Sequence, residues 1–162
     1  MTRRPLRPPQ EPPMNDTSSD ALHVVCGHCE SVIRLPAARL GEAPHCPKCH
    51  FALFEGKPLN LTEASFARHL ERNDLPLVVD FWAPWCGPCI AMAPHFETAA
   101  RELERKMRFA KLNTQDEPAP ANKLNIRSIP TLIVFRQGKE LARQSGAMDS
   151  GRLVRWLDSV VQ

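Results

Sequence analysis

Six cysteines stand in this chain of 162 residues, and all six fall in Cys-x-x-Cys pairs. The pairs are C-G-H-C (Cys26 to Cys29), C-P-K-C (Cys46 to Cys49) and C-G-P-C (Cys86 to Cys89). Two thiols at this spacing serve either as ligands of one metal ion or as a redox couple, and the flanking sequence decides which. No cysteine is left over for a long-range staple, so each pair needs a local explanation or a partner pair.

The first two pairs form C-x2-C-x16-C-x2-C, which falls within the spacing of a zinc ribbon. Each knuckle turns two thiolates toward one point, and two knuckles complete a tetrahedron. The intervening S-V-I-R-L-P-A-A-R-L-G-E-A-P-H predicts a short strand over Ser31–Leu35, and Pro36 and Pro44 argue against a long helix. A unit spanning residues 22–56 is too small for a core of its own and needs a staple. Cys26, Cys29, Cys46 and Cys49 are therefore read as ligands of a closed, structural Zn²⁺ site whose binding supplies folding energy. Arg34, Lys48 and backbone N–H groups are candidates to offset its charge. Other readings stay open: a second redox pair or disulfides, or haem attachment at C-P-K-C-H (Cys46 to His50). C-G-H-C is also the tetrad of disulfide isomerases. However, no buried strand precedes Cys26 and no long helix follows Cys29.

The third pair has both. L-P-L-V-V-D-F-W-A (Leu75–Ala83) is an almost continuous apolar run, as expected of a strand buried on both faces. A helix is expected from Cys86 to about Lys106, interrupted at Pro94. A helix N-terminus lowers a thiol pKa through its unpaired N–H groups and its dipole. Cys86 is thus expected as the exposed nucleophile, and Cys89, one turn inside, as the shielded resolving thiol. Gly87 and Pro88 form the turn between them, and Pro88 stiffens it.

Further elements follow from pattern. Lys57–Leu61 reads as a strand, and Thr62 as the cap of a helix carrying Phe66 and Leu70 on one face. Met107–Asn113 reads as a strand, and Pro120–Leu124 as a short helix. Thr131–Phe135 and Glu140–Gln144 read as a hairpin around Gly138. Asp149 caps a last helix bearing Leu153, Trp156, Leu157, Val160 and Val161. Residues 1–21 are Pro-rich and poor in large apolar side chains, and read as a disordered tail. Met14 is a second candidate start.

V-V-D-F-W-A-P-W-C-G-P-C resembles the active-site segment of the thioredoxin family. The resemblance continues through Pro94, A-K-L-N at Lys111, I-R-S-I-P-T-L-I-V-F and Gly146, and covers residues 57–162. With the ribbon, the chain is similar to the zinc-bearing thioredoxin 2 type of bacteria. The resemblance implies an α/β thioredoxin fold, a central mixed sheet flanked by helices, with a small four-cysteine zinc ribbon at its N-terminal side. It implies a protein disulfide reductase. Asp80, buried in the strand, would shuttle the proton of Cys89, with Lys111 as its charge partner. Ile129-Pro130 would be a cis-proline loop that pairs with an extended substrate. Trp85 and Gly146 would border the same groove. Ile90 departs from relatives that carry Lys or Arg there. Disulfide-containing proteins would be substrates, and an NADPH-dependent thioredoxin reductase the electron donor. No tightly bound organic cofactor is expected. The alternative function is a redox-sensing zinc protein or a chaperone-like binding module.

The formal charge is +3, of which residues 1–13 carry +2 through Arg3, Arg4, Arg7 and Glu11. A nearly neutral body argues against nucleic-acid binding. No apolar run approaches the roughly 20 residues that span a bilayer, so no membrane partner is expected. Residues 1–13 carry positive charge but no apolar signal segment. A reducing cytoplasm is the expected compartment, where paired cysteines bind metal or catalyse more often than they cross-link.

Overall fold

Short apolar runs separated by Gly, Pro and charged turns fold here into two sheets, in a computed structural model that describes residues 20–162. The expected tail up to residue 19, with Met14, lies outside the described residues. The first strand, β1 (Ala21–Val25), is not evident from sequence. It pairs antiparallel with β2 (Val32–Pro36), in register Val25↔Val32. A 3₁₀ helix over Ala37–Glu42 follows, where the two prolines leave room for nothing longer.

The larger sheet runs β3 (Leu59–Leu61), β5 (Arg108–Asn113), β4 (Leu77–Trp82), β6 (Thr131–Arg136) and β7 (Lys139–Ser145) across its width. The first three strands are parallel, and β6 and β7 are antiparallel. This is the central mixed sheet that the family resemblance implies. Four helices cover it: α1 (Glu63–Arg72), α2 (Gly87–Leu103), α3 (Pro118–Lys123) and α4 (Ser150–Val161).

Side chains alternate across a strand, so β4 divides its residues between two cores. Leu77, Val79 and Phe81 join Ile133 and Phe135 beneath Phe66 and Leu70 of α1 and Leu124 and Ile126 near α3. Val78 joins Leu132 and Val134 beneath Met92 and Phe96 of α2 and Leu153 and Leu157 of α4. Thr62 and Ser65 close a capping box at the start of α1, and the Asp149 carboxylate accepts from the Arg152 amide at α4.

The helix after Cys86 differs from expectation in two ways. The helix containing Pro94 runs unbroken, and it ends at Leu103 rather than Lys106. Proline removes the bond to the carbonyl four residues back. That residue, Ile90, is exposed, so solvent can satisfy what the helix gives up.

The small N-terminal unit seats against α1 and the β3 edge. The Asn73 side chain accepts from the Val25 amide at 2.8 Å and donates to the His69 carbonyl at 2.9 Å. Asp74 and His23 exchange bonds: the His23 amide donates to the Asp74 carboxylate, and the Asp74 amide to the His23 carbonyl. A Cβ on Gly27 would collide with Leu59, so the approach there is close.

Candidate functional site

The first two cysteine pairs fold into copies of one turn. The Cys26 amide donates to the Ser31 carbonyl at 2.9 Å and the Glu30 amide to the Cys26 carbonyl at 3.0 Å. The Cys46 amide donates to the Phe51 carbonyl and the His50 amide to the Cys46 carbonyl, both at 2.8 Å. Glu30 and His50, at matching places, take φ of 62° and 69°. His28 and Lys48, again matching, donate backbone N–H groups to Cys26 Sγ and Cys46 Sγ at 3.4 Å. These donors stabilise thiolates.

The two turns bring Cys26, Cys29, Cys46 and Cys49 together, with all four sulfurs within 4.8 Å of one another. Cys26–Cys49 and Cys29–Cys46 stand at 3.6 Å. Four sulfurs at about 2.3 Å from a tetrahedral Zn²⁺ would be roughly 3.8 Å apart, so the donor set and its spacing fit such an ion. The cluster can hold a metal ion. The Ser31 side chain and backbone lower the Cys29 thiol, whereas Cys49, despite the Phe51 backbone, is raised by burial and by the other three cysteines, so without a metal the four sulfurs share their protons unevenly. One buried cluster of the unit joins Cys26 and Cys46 to Ile33 and Leu53, so half of it is cysteine. Arg34 and Lys48, expected to offset the charge, have exposed side chains.

The third pair sits where β4 meets α2. Cys86 is the N-cap of α2, and its sulfur accepts from the Cys89 amide at 3.2 Å. Pro88 occupies the first turn, where a missing N–H costs nothing. Gly87 opens the helix with no atom near enough to meet a side chain there. Cys86 and Cys89 are joined as a disulfide. The expectation of an exposed Cys86 beside a shielded Cys89 needs correction, since the two are 5% and 1% exposed. Ala83, Trp82 and Ile129 pack around both sulfurs. The apolar rim is open instead: Trp85 is 70% exposed and Ile90 56%.

The Ile129-Pro130 peptide bond is cis, and Cys86 Sγ lies 3.7 Å from the Ile129 carbonyl oxygen. Gly146, at φ 97°, donates its amide to the Pro130 carbonyl at 2.9 Å. Trp85, Ser128 and Ile129 line an open cleft of about 200 Å³ beside the disulfide.

Asp80 lies on the same sheet face as Val78, the face that α2 covers. It is fully buried, and neither carboxyl oxygen has a hydrogen-bond partner among the described residues. Burial pushes its pKa up to about 7, against the pull of Lys111. Lys111 is its register neighbour on β5, but Lys111 Nζ stands over the Trp82 ring, 4.4 Å from the centroid. Lys111 thus acts on Asp80 through its charge while its ammonium rests over the Trp82 ring.

This raised pKa makes stability depend on pH. Below pH 4 Asp80 is protonated in both folded and unfolded chains, and no cost of ionisation arises. From about pH 4 to 7 the unfolded chain releases this proton while the folded one keeps it, so stability falls as pH rises. Asp80→Asn should therefore stabilise the protein by roughly 4 kcal/mol at pH 8, a gain that shrinks toward zero on acidification. Urea unfolding of both proteins at pH 5 and pH 8 measures it; equal gains at the two pH values would contradict the assignment.

Sequence reading missed Arg108 and Asn73, which bind the two units together. The only signal was an arginine opening an otherwise apolar strand, M-R-F-A. Among the described residues no helix is long and apolar enough to cross a membrane.

Comparison with known proteins agrees with this architecture. The thioredoxin family model matches residues 57–159. Thioredoxin C-3 of Corynebacterium nephridii is 40% identical over 139 residues, covering 86% of this chain and 95% of that protein. That likeness is longer than the family match, so it extends beyond the thioredoxin domain. Thioredoxin of Porphyra purpurea is 42% identical over 101 residues, 62% of this chain and 94% of that protein. Thioredoxin of Rickettsia bellii (strain RML369-C) is 36% identical over 100 residues, with 62% and 95% covered. A strand-to-helix dithiol facing a cis-proline loop, on a sheet matched over most of its length, makes this chain a member of the thioredoxin family of protein disulfide oxidoreductases.

Proposed function

We propose that the chain reduces protein disulfides through Cys86 and Cys89 and holds a structural Zn²⁺ ion on Cys26, Cys29, Cys46 and Cys49. The placement of Cys86 as N-cap of α2, its sulfur facing the Ile129 carbonyl, carries the redox reading. In the reduced protein the helix N-terminus favours Cys86 as thiolate. The thiolate attacks one sulfur of a substrate disulfide, forming a mixed disulfide and expelling the other sulfur as thiolate. Cys89 gives its proton to the Asp80 carboxylate and attacks Cys86 Sγ. The substrate leaves with two reduced sulfurs, and the electron pair they gained leaves Cys86 and Cys89 oxidised, the form seen here.

Lys111 keeps a positive charge near Asp80, and Trp82 positions it. The backbone of Ile129 is free to pair with an extended substrate segment, with Pro130 and Gly146 shaping that edge and Trp85 and Ile90 supplying apolar contact. Disulfide-containing proteins are the substrate class, and an NADPH-dependent thioredoxin reductase returns the dithiol. A reducing cytoplasm is the compartment in which four free metal-binding thiols persist. The zinc ion, when bound, cross-links two knuckles and takes no part in electron transfer, since four protein ligands close its coordination.

Cys89→Ser removes the resolving sulfur, so mixed disulfides on Cys86 should accumulate. Incubating the reduced variant with oxidised insulin and separating the products without reductant should give a covalent adduct that dithiothreitol releases. A variant that forms no adduct while Cys86 remains free would contradict this order of attack.

A further inference from the structure

Arg108, the first residue of β5, carries a charge that the redox chemistry does not use. It is 4% exposed. Its guanidinium reaches out of the redox domain and donates to two carbonyls of the N-terminal unit, Leu53 at 2.7 Å and Val25 at 3.0 Å. Its Cζ stands 4.8 Å from the centroid of the Phe54 ring. Nε has no partner among the described residues. Carbonyls satisfy N–H donors but cancel no charge, and a buried cation without a counter-charge is costly.

The usual counter-charge is missing. No carboxylate pairs with Arg108 among the described residues. The acids nearby are engaged elsewhere: Glu104 accepts from the Gly56 amide at 2.6 Å, and Glu55 holds His28 and faces Lys57. His69 of α1 is buried with Nδ1 unpartnered, and burial, with Arg108 and Arg68, lowers its pKa to about 4, so it stays neutral. The seam between the units leaves a cavity of about 10 Å³ beside Arg108, Leu53 and Glu104. That admits at most about one water and no hydrated anion.

Glu104 and Glu55 keep their charge but form no pair with Arg108, and the cysteine cluster acts on it ahead of both. Val25, whose carbonyl the guanidinium holds, directly precedes Cys26, so Arg108 sits one peptide unit from a metal ligand. Burial pulls Arg108 down to about 10, and Cys26, ahead of Glu104 and Glu55, draws it back up. Four thiolates around a divalent ion leave two negative charges in excess, next to a core too small to dissipate them.

We propose that Arg108, supplied by the redox domain, is the buried counter-charge of the Cys26/Cys29/Cys46/Cys49 metal centre. Metal binding and seating of the N-terminal unit on the redox domain are then one coupled equilibrium. The inference rests on reading the four thiols as a zinc site. Arg34 and Lys48 are exposed and solvent-screened, so they cannot replace it.

The test is a zinc competition titration against a chromophoric chelator, on the full chain and its Arg108→Lys and Arg108→Met variants. Circular dichroism of each zinc-saturated protein reports folding. Lysine keeps the charge and loses the forked hydrogen bonds; methionine keeps the stem and loses the charge. Arg108→Met should bind zinc about 10–100-fold more weakly, and Arg108→Lys within about threefold of the parent. Equal affinity in all three proteins, or equal loss in both variants, would overturn the proposal, since charge would then not matter. Should Arg108→Met not fold, Arg108→Lys decides alone: affinity near the parent's supports the proposal, and a tenfold or greater loss overturns it. A parent chain that takes up no zinc would overturn the zinc reading and this proposal together. Tight zinc binding by the parent and by Arg108→Met alike would overturn this proposal only.

Discussion

Cys86→Ser should lower NADPH-coupled reduction of insulin by about three orders of magnitude or more, to the uncatalysed level, while one zinc ion per chain is retained. A serine hydroxyl is not ionised at neutral pH, and the helix N-terminus that favours a thiolate cannot make it so. Nothing else at the site can take over the first attack. Cys89 is 1% exposed and lies one turn inside α2, where a substrate disulfide cannot approach it in line. The metal cluster is held by a separate set of turns and should not register the change. Turnover assays beside zinc quantitation check both halves of this expectation.

The features that make Cys86 special were legible because they are local. A continuous apolar run followed by a cysteine and a strong helix former can be read as strand, turn and helix without knowing the rest of the fold. The four-cysteine cluster was legible for the same reason, since a repeated Cys-x-x-Cys spacing fixes a repeated turn. What escaped was long-range. A-L-H-V-V has too few residues to declare itself as β1, and becomes a strand by pairing with β2. Arg108 looked like an ordinary charged residue because its partners, Val25 and Leu53, lie far away in sequence. The pairing of Lys111 with Trp82 depends on side-chain direction within one face of the sheet, which register alone does not give. Cys86 was expected to be exposed because its turn is at the surface. Its sulfur is covered by neighbours from the approach to β6, Ile129 among them, which only the folded chain brings near.

Cys26→Ser should have the complementary effect. Zinc affinity should fall by about three orders of magnitude or more, since the site loses a thiolate that is also a core side chain. The N-terminal unit's own core cluster is small, Cys26, Ile33, Cys46 and Leu53, two of the four being cysteines of the metal-binding set. Without the ion it is too small to stay folded. Residues 21–56 should lose amide-exchange protection, and β1 should release Asn73 and Asp74. The thioredoxin domain has its own two cores on either face of the sheet, so insulin reduction should persist at most of the parent rate. Hydrogen exchange read by mass spectrometry, with zinc quantitation and the same turnover assay, measures all three. Unchanged protection over residues 21–56 after metal loss would mean that the unit is held by its docking contacts rather than by the ion.

The central claim is a division of labour among three chemically similar pairs. Differential alkylation of the native zinc-loaded protein tests it most directly: the chain is fully oxidised, then reduced by NADPH and thioredoxin reductase, and each cysteine's reactivity is mapped by mass spectrometry. The account predicts that Cys86 and Cys89 alone pass from disulfide to thiol, while Cys26, Cys29, Cys46 and Cys49 stay metal-bound and never form a disulfide in either state. Reversible cycling of Cys26 with Cys29, or of Cys46 with Cys49, alongside Cys86 would contradict it.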